Sequence, residues 1–194
     1  MSSDGADTRL DISVREYLEE VAAPTPAVTG GAVNAVTAAS AAGLVSMTAR
    51  LSSAMSDSES IASTADDLRG RVVKLAESDS QAYAPVLAAQ RRPVDDPDRP
   101  AALRAAYIEA AQPPLRLAEL AAELAGVAAD VAARGKKTLR GDAVTAAVLA
   151  AGAARASTSL ARVNLDAAGQ NWNNDTAATV AERHAATARS LLES

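Results

Sequence analysis

Alanine dominates this chain, phenylalanine is absent and aromatic residues make up only 2% of it. The core must therefore be assembled from Ala, Val and Leu. Small side chains fill little space, so a dense interior requires backbones that approach closely. Alanine is the best helix former, whereas strands prefer β-branched and aromatic residues. The pattern predicts an all-α protein built by close helix–helix packing.

Over 194 residues, of which 48% are hydrophobic, such a chain can bury a sizeable core. The expected organisation is a flexible tail over residues 1–9 and one helical domain over residues 10–194. A net charge of −5, from 19 Lys+Arg against 24 Asp+Glu, argues against nucleic-acid binding. Cysteine is absent and His184 is the single histidine, which excludes disulfides, thiolate metal sites and a histidine-rich metal centre within one chain. Residues 1–10, MSSDGADTRL, lack the apolar core of a signal peptide, so the cytoplasm is the expected location. The most apolar stretch, residues 32–49, still carries Asn34, Thr37, Ser40, Ser46 and Thr48. It reads as a buried helix rather than a membrane span.

About six helices, some long and kinked, are expected in a multi-helix bundle. Asp11 or Ser13 caps the first, which runs to about Ala22 and stops at Pro24-Thr25-Pro26. The second runs from Thr29-Gly30-Gly31 to about Met55. The third, from Glu59 to about Gln90, has an apolar stripe at Ile61, Ala65, Leu68, Val72, Leu75, Ala82 and Val86. Asp79 falls within that stripe, where a carboxylate is costly unless satisfied. After a Pro/Asp-rich loop a fourth helix starts near Pro100, to be kinked or broken at Pro113-Pro114, with Gly135 as its C-cap. A fifth helix opens at Gly141-Asp142 and reaches about Ala168. A last one, capped by Asp175, runs to Leu192.

Four features have chemical potential. Thr29-Gly30-Gly31 precedes a helix, whose N-terminal N–H groups and partial positive charge suit an anion; it also reads as an ordinary turn. Asp79, with Tyr83 one turn on, is either a desolvated acid/base group or a structural carboxylate bonded to a neighbouring helix. Asp142 reads as a helix cap, while Lys136, Lys137 and Arg140 beside it can attract an anion or be simply solvated. Asn164 is an amide in an apolar helix and needs partners. It follows Asp142 by 22 positions, roughly 33 Å along one helix, so the two can share a small pocket only across a two-fold axis. Trp172 and His184 read as packing or surface residues.

Taken together, these segments resemble the cyclodeaminase domain of formiminotransferase-cyclodeaminase and the related methenyltetrahydrofolate cyclohydrolases. The resemblance runs from about Val14 to Leu165. It rests on APTPAVTGGAVNAVTAASAAGLVSMTARLS, on Asp79 with Ala82-Tyr83, on AAQPPLRLAELAAELA, on Gly135 followed by Asp142-Ala143, and on Asn164-Leu165. It departs from the family pattern where Val28-Thr29-Gly30-Gly31 replaces Pro-Gly-Gly-Gly and where Lys136 and Lys137 replace Asn. The resemblance implies a homodimer that binds a folate-type small molecule near the subunit interface. The implied reaction is hydrolysis of 5,10-methenyltetrahydrofolate, or cyclisation of 5-formiminotetrahydrofolate with loss of ammonia. Neither needs a metal or a redox cofactor. The implied proton carriers are Asp79 and Asp142. Asn164 orients the ligand, Gly30 and Gly31 contact it through their backbone, and Tyr83 packs on a ring. Lys74, Lys136 and Lys137 are candidates for the glutamate tail. The alternative is a non-catalytic binding or assembly protein of the same fold with a degenerate glycine motif.

Overall fold

A computed structural model describes residues 12–24 and 28–193, with only the backbone of residues 77–81. The expected tail over residues 1–9 and a cap at Asp11 lie outside the described residues. The order is α1 (Val14–Ala22), α2 (Gly30–Arg50), α3 (Ser58–Ala82), α4 (Ala84–Gln90), α5 (Arg99–Ala110), α6 (Gln112–Arg134), a 3₁₀ turn (Lys137–Leu139), α7 (Arg140–Ala167) and α8 (Thr176–Ser190). No strand occurs among the described residues, so the fold class is all-α as the composition requires.

At the centre α7 packs on α2, α6 and α8, and α3 covers the other side of α2. The buried seam is mostly alanine: Ala38, Ala41 and Ala42 on α2, Ala121, Ala125 and Ala128 on α6, and Ala146, Ala147, Ala150 and Ala154 on α7 are all at 0% exposure. Leu68, Val72 and Leu124 fill the wider gaps. Half of the most apolar window of α2 is buried inside the bundle, which makes it a core helix despite its hydropathy. Helices α2 and α7 run antiparallel, since Asn34 near the start of α2 donates to Ser157 in the second half of α7 at 3.4 Å.

Prolines divide two of the expected helices. The apolar stripe of the third continues to Val86, yet the helix breaks at Tyr83. Pro85 has no N–H, and its ring collides with a carbonyl one turn back in a continuous helix. It sits instead in the first turn of α4, where the missing donor costs nothing. Proline in the first turn of α6 does the same, so only Ala111 separates α5 from α6. Between these breaks α4 and α5 form a hairpin with its own small core of Val86, Ala89, Ala106 and Ala110.

The helix ends show which side chains act as caps. Ser13 forms a capping box with Glu16. Asp175 stands at the N-cap of α8 without a capping hydrogen bond; Asn174 accepts from Thr176 N instead, at 3.1 Å. Gly169 takes φ +72° and closes α7, with Gln170 N donating to Leu165 O and Gly169 N to Asp166 O, both at 2.9 Å. α2 ends at Arg50 rather than near Met55, because the buried Ser52 hydroxyl donates back to Thr48 O at 2.7 Å and accepts Lys136 N at 2.8 Å.

Gly135, the C-cap of α6, has ordinary negative φ, yet its hydrogen is required. A Cβ there would lie 2.5 Å from Val131 O and 3.0 Å from Ser52 Oγ. Gly135→Ala is therefore expected to destabilise by about 1–3 kcal/mol through overpacking. Chemical denaturation should show a lowered midpoint at unchanged m-value; an unshifted midpoint would mean the turn relaxes freely.

Candidate functional site

Four chain segments converge at one pole of the bundle. They are the start of α2, the α3–α4 break, the α5–α6 break and the last third of α7. Together they enclose a half-open cavity of about 350 Å³. Thr29, Gly30, Gly31, Tyr83, Pro114 and Asn164 line it, and Leu160 and Val163 add an apolar wall.

Thr29 is the N-cap of α2. Its hydroxyl accepts Ala32 N at 3.3 Å, and its carbonyl accepts Val33 N at 3.1 Å. The N–H groups of Gly30 and Gly31 belong to the first turn and have no acceptor within the helix. A Cβ at Gly30 would meet only the Leu160 methyls, at 3.7 and 3.9 Å, which is ordinary contact. Packing alone does not demand glycine at that wall.

Asn164 has a fixed orientation. Its Nδ2 donates to the carbonyl of Ala110, the last residue of α5, at 3.0 Å. A carbonyl can only accept, so the amide nitrogen must face it and Oδ1 stays available as an acceptor. The side chain thus closes an open carbonyl at the end of α5 and presents an acceptor at the cavity.

Tyr83 occupies the single-residue break between α3 and α4 and is 38% exposed. Partial burial, and secondarily a hydrogen-bonded Tyr107, push its phenol above the ordinary tyrosine value. Tyr107 in turn accepts Gln90 Nε2 at 3.0 Å. Tyr83 therefore remains a neutral phenol at physiological pH, suited to ring packing rather than to anionic chemistry.

Asp79 lies on α3, four residues before Tyr83, so its backbone is one turn from the cavity on the same helix face. Its side chain lies outside the described residues. Lys74 is exposed on α3, nine residues before Tyr83 and roughly 14 Å down the helix, and does not line the cavity.

Lys136, Lys137 and Asp142 are at the opposite pole. Lys136 follows the C-cap of α6 and lines a separate cavity of about 330 Å³ with Ser52 and Arg134. Asp142 is in the first turn of α7. Because α7 is unbroken from Arg140 to Ala167, Asp142 and Asn164 stay roughly 33 Å apart in one chain. The structure thus brings together Gly30, Gly31, Tyr83 and Asn164, places Asp79 beside them along α3, and separates them from Lys136, Lys137 and Asp142.

The cap role of Thr29 and the contributions of Pro114, Leu160, Val163 and the Ala110 carbonyl are new from the structure. The spacing of Leu160 and Val163 before Asn164, four and one residues, puts them on adjoining parts of the α7 surface. His184 packs against Gly126, whose added Cβ would lie 3.4 Å from its Nε2.

Comparison with known proteins agrees with the all-α fold. A family model described as formiminotransferase-cyclodeaminase matches residues 13–183. Among solved structures, the fold is similar to that of formiminotetrahydrofolate cyclodeaminase from Thermotoga maritima. That likeness has a TM-score of 0.73 and 23% identity, and covers 94% of this chain and 92% of the other. No curated protein matches the sequence.

Proposed function

The chain belongs to the formiminotransferase-cyclodeaminase family, and from that premise we propose that it is a one-carbon folate enzyme whose substrate occupies the cavity between Gly30, Tyr83 and Asn164. The reaction is hydrolysis of 5,10-methenyltetrahydrofolate or cyclisation of 5-formiminotetrahydrofolate. In the first, water adds to the methenyl carbon, one C–N bond of the bridge breaks, and of the two protons of that water one passes to the departing nitrogen and the other to solvent, leaving a neutral formyl group. In the second, the neighbouring folate nitrogen attacks the formimino carbon and ammonia leaves. Both need a carboxylate that carries a proton and fixed dipoles that hold a charged intermediate.

The observation that carries this reading is the convergence of the glycine turn, Tyr83 and Asn164 on one cavity. Gly30 and Gly31 N–H groups and Asn164 Oδ1 position the ligand, Tyr83 packs on a ring, and Asp79, one helical turn away, carries the proton. Lys74 is the tail-binding cation on the same helix. Asp142, Lys136 and Lys137 serve a cavity only from a second copy, in a homodimer whose two-fold axis brings opposite poles together. No cofactor beyond the folate is required, and the cytoplasm is the proposed location.

Purified protein should convert one of the two folates faster than the uncatalysed reaction. Absence of turnover with both would reject the enzyme. One observation favours a second reading, in which the protein binds a folate without transforming it. Thr29 occupies the Ala32 N–H that a glycine would leave for a ligand. A rise in melting temperature with reduced folates, without turnover, would establish that version.

A further inference from the structure

A second cavity of about 400 Å³ lies between α6, α7 and α8, under the loop that joins the last two. This volume is within the range of about 300–1,000 Å³ typical of small-molecule sites. Its apolar lining is Leu115, Ala118 and Ala122 of α6 with Ala177 and Val180 of α8. The left-handed turn at Gly169 ends α7, and three residues later the half-buried Trp172 forms part of the cavity wall.

Besides the exposed Asn174 and Thr176, Thr158 supplies a polar contact from within. It is 4% exposed and lines the cavity, so its residual exposure opens there. On the same helix Thr145 and Ser159 donate back to carbonyls four residues earlier, at 2.9 and 3.0 Å. No hydrogen bond of the Thr158 hydroxyl occurs among the described residues, and it is not one of their sealed, unpartnered polar atoms, so it stays open to the cavity. A hydroxyl open to a cavity is available to donate to, or accept from, whatever enters it. The charged group at the rim, Glu119, is neutralised by Arg116 at 2.6 Å. That pair favours neither a phosphate nor an ammonium ion.

We propose that this cavity is a second ligand site, which takes a flat, uncharged heteroaromatic ring of nucleobase size against Trp172, with a ring nitrogen or N–H hydrogen-bonded to Thr158. An indole wall is a stacking or edge-to-face partner for such a ring. The site is separate from the Gly30–Asn164 cavity and does not depend on the activity proposed there.

Trp172 is the only tryptophan, so its emission reports on this cavity alone. Titration of the full-length protein with adenine, hypoxanthine and unsubstituted pterin should give a saturable change in Trp172 fluorescence for at least one ring. Thr158→Val keeps the shape and removes the hydroxyl, and should weaken that Kd by about tenfold. Ala177→Leu fills the cavity from α8 and should abolish the response while circular dichroism shows the protein still folded. No saturable response to any of the three rings overturns the proposal. A response that both variants leave intact overturns it as well.

Discussion

Asp79→Asn is expected to lower turnover of the active folate substrate by about 10²–10⁴-fold, the usual contribution of a positioned proton carrier. The asparagine has nearly the same shape but cannot exchange a proton at neutral pH. If Asp79 carries the proton, the loss falls on kcat, KM changes little, and the acid limb of the pH–rate profile moves or disappears. Stability provides the control. Position 79 continues the apolar stripe of α3, where a charge is costly, so removing it should leave the melting temperature unchanged or raised. A purely structural aspartate predicts the reverse: a lower melting temperature, with activity following the folded fraction. Co-expression with an Asp142→Asn chain extends the test to the two-fold arrangement. If a site uses Asp79 of one copy and Asp142 of the other, mixed dimers contain one intact site and restore about a quarter of wild-type activity. Full activity in Asp79→Asn alone would remove the role altogether.

The legibility of this protein in its sequence follows the range of each interaction. Helix identity is local and alanine declares it, so the all-α class is readable from composition. Helix boundaries depend on single backbone groups. The stripe through Leu75, Ala82 and Val86 suggests one continuous helix, but the missing N–H of Pro85 ends it at Tyr83. The end of α2 was hidden for a related reason, because Ser52 closes it with contacts to Thr48 and to Lys136, 84 residues away. The cavity is a tertiary object. Gly30 and Asn164 meet because α2 and α7 run antiparallel, and family resemblance groups them before the packing explains why. Leu160 and Val163 carried no functional signal, since an apolar residue on an apolar face reads as core, and Pro114 reads as a helix break within a segment of family resemblance rather than as a cavity wall. The Ala110 carbonyl that orients Asn164 has no side-chain signature at all. Spacing did speak on one long-range point: 22 positions within one helix keep Asp142 away from Asn164, and the unbroken α7 realises that separation.

The other large effect concerns the seam that sets the whole arrangement. Ala150→Leu places three more carbons at a 0% exposed position of α7, the helix packed against α2, α6 and α8. The neighbours across this seam are largely alanine, with short side chains that have no rotamers to adjust. The added volume must be met by moving backbones apart, and interiors at crystal-like density transmit that strain. The expected cost is about 1–3 kcal/mol, or roughly 2–12 °C in melting temperature for a chain of this size. Val148→Leu is the matched control: it enlarges a side chain two residues earlier on α7 at a 39% exposed position, and should stay within about 0.5 kcal/mol of wild type. The displacement should also reach function. Gly30 and Leu160 form the cavity wall where α2 meets α7, so spreading those helices widens the site and should raise KM beyond what the folded fraction explains. Equal melting temperatures for the two variants would show that the alanine seam tolerates added volume, and that close approach of α2 and α7 is not what shapes the cavity.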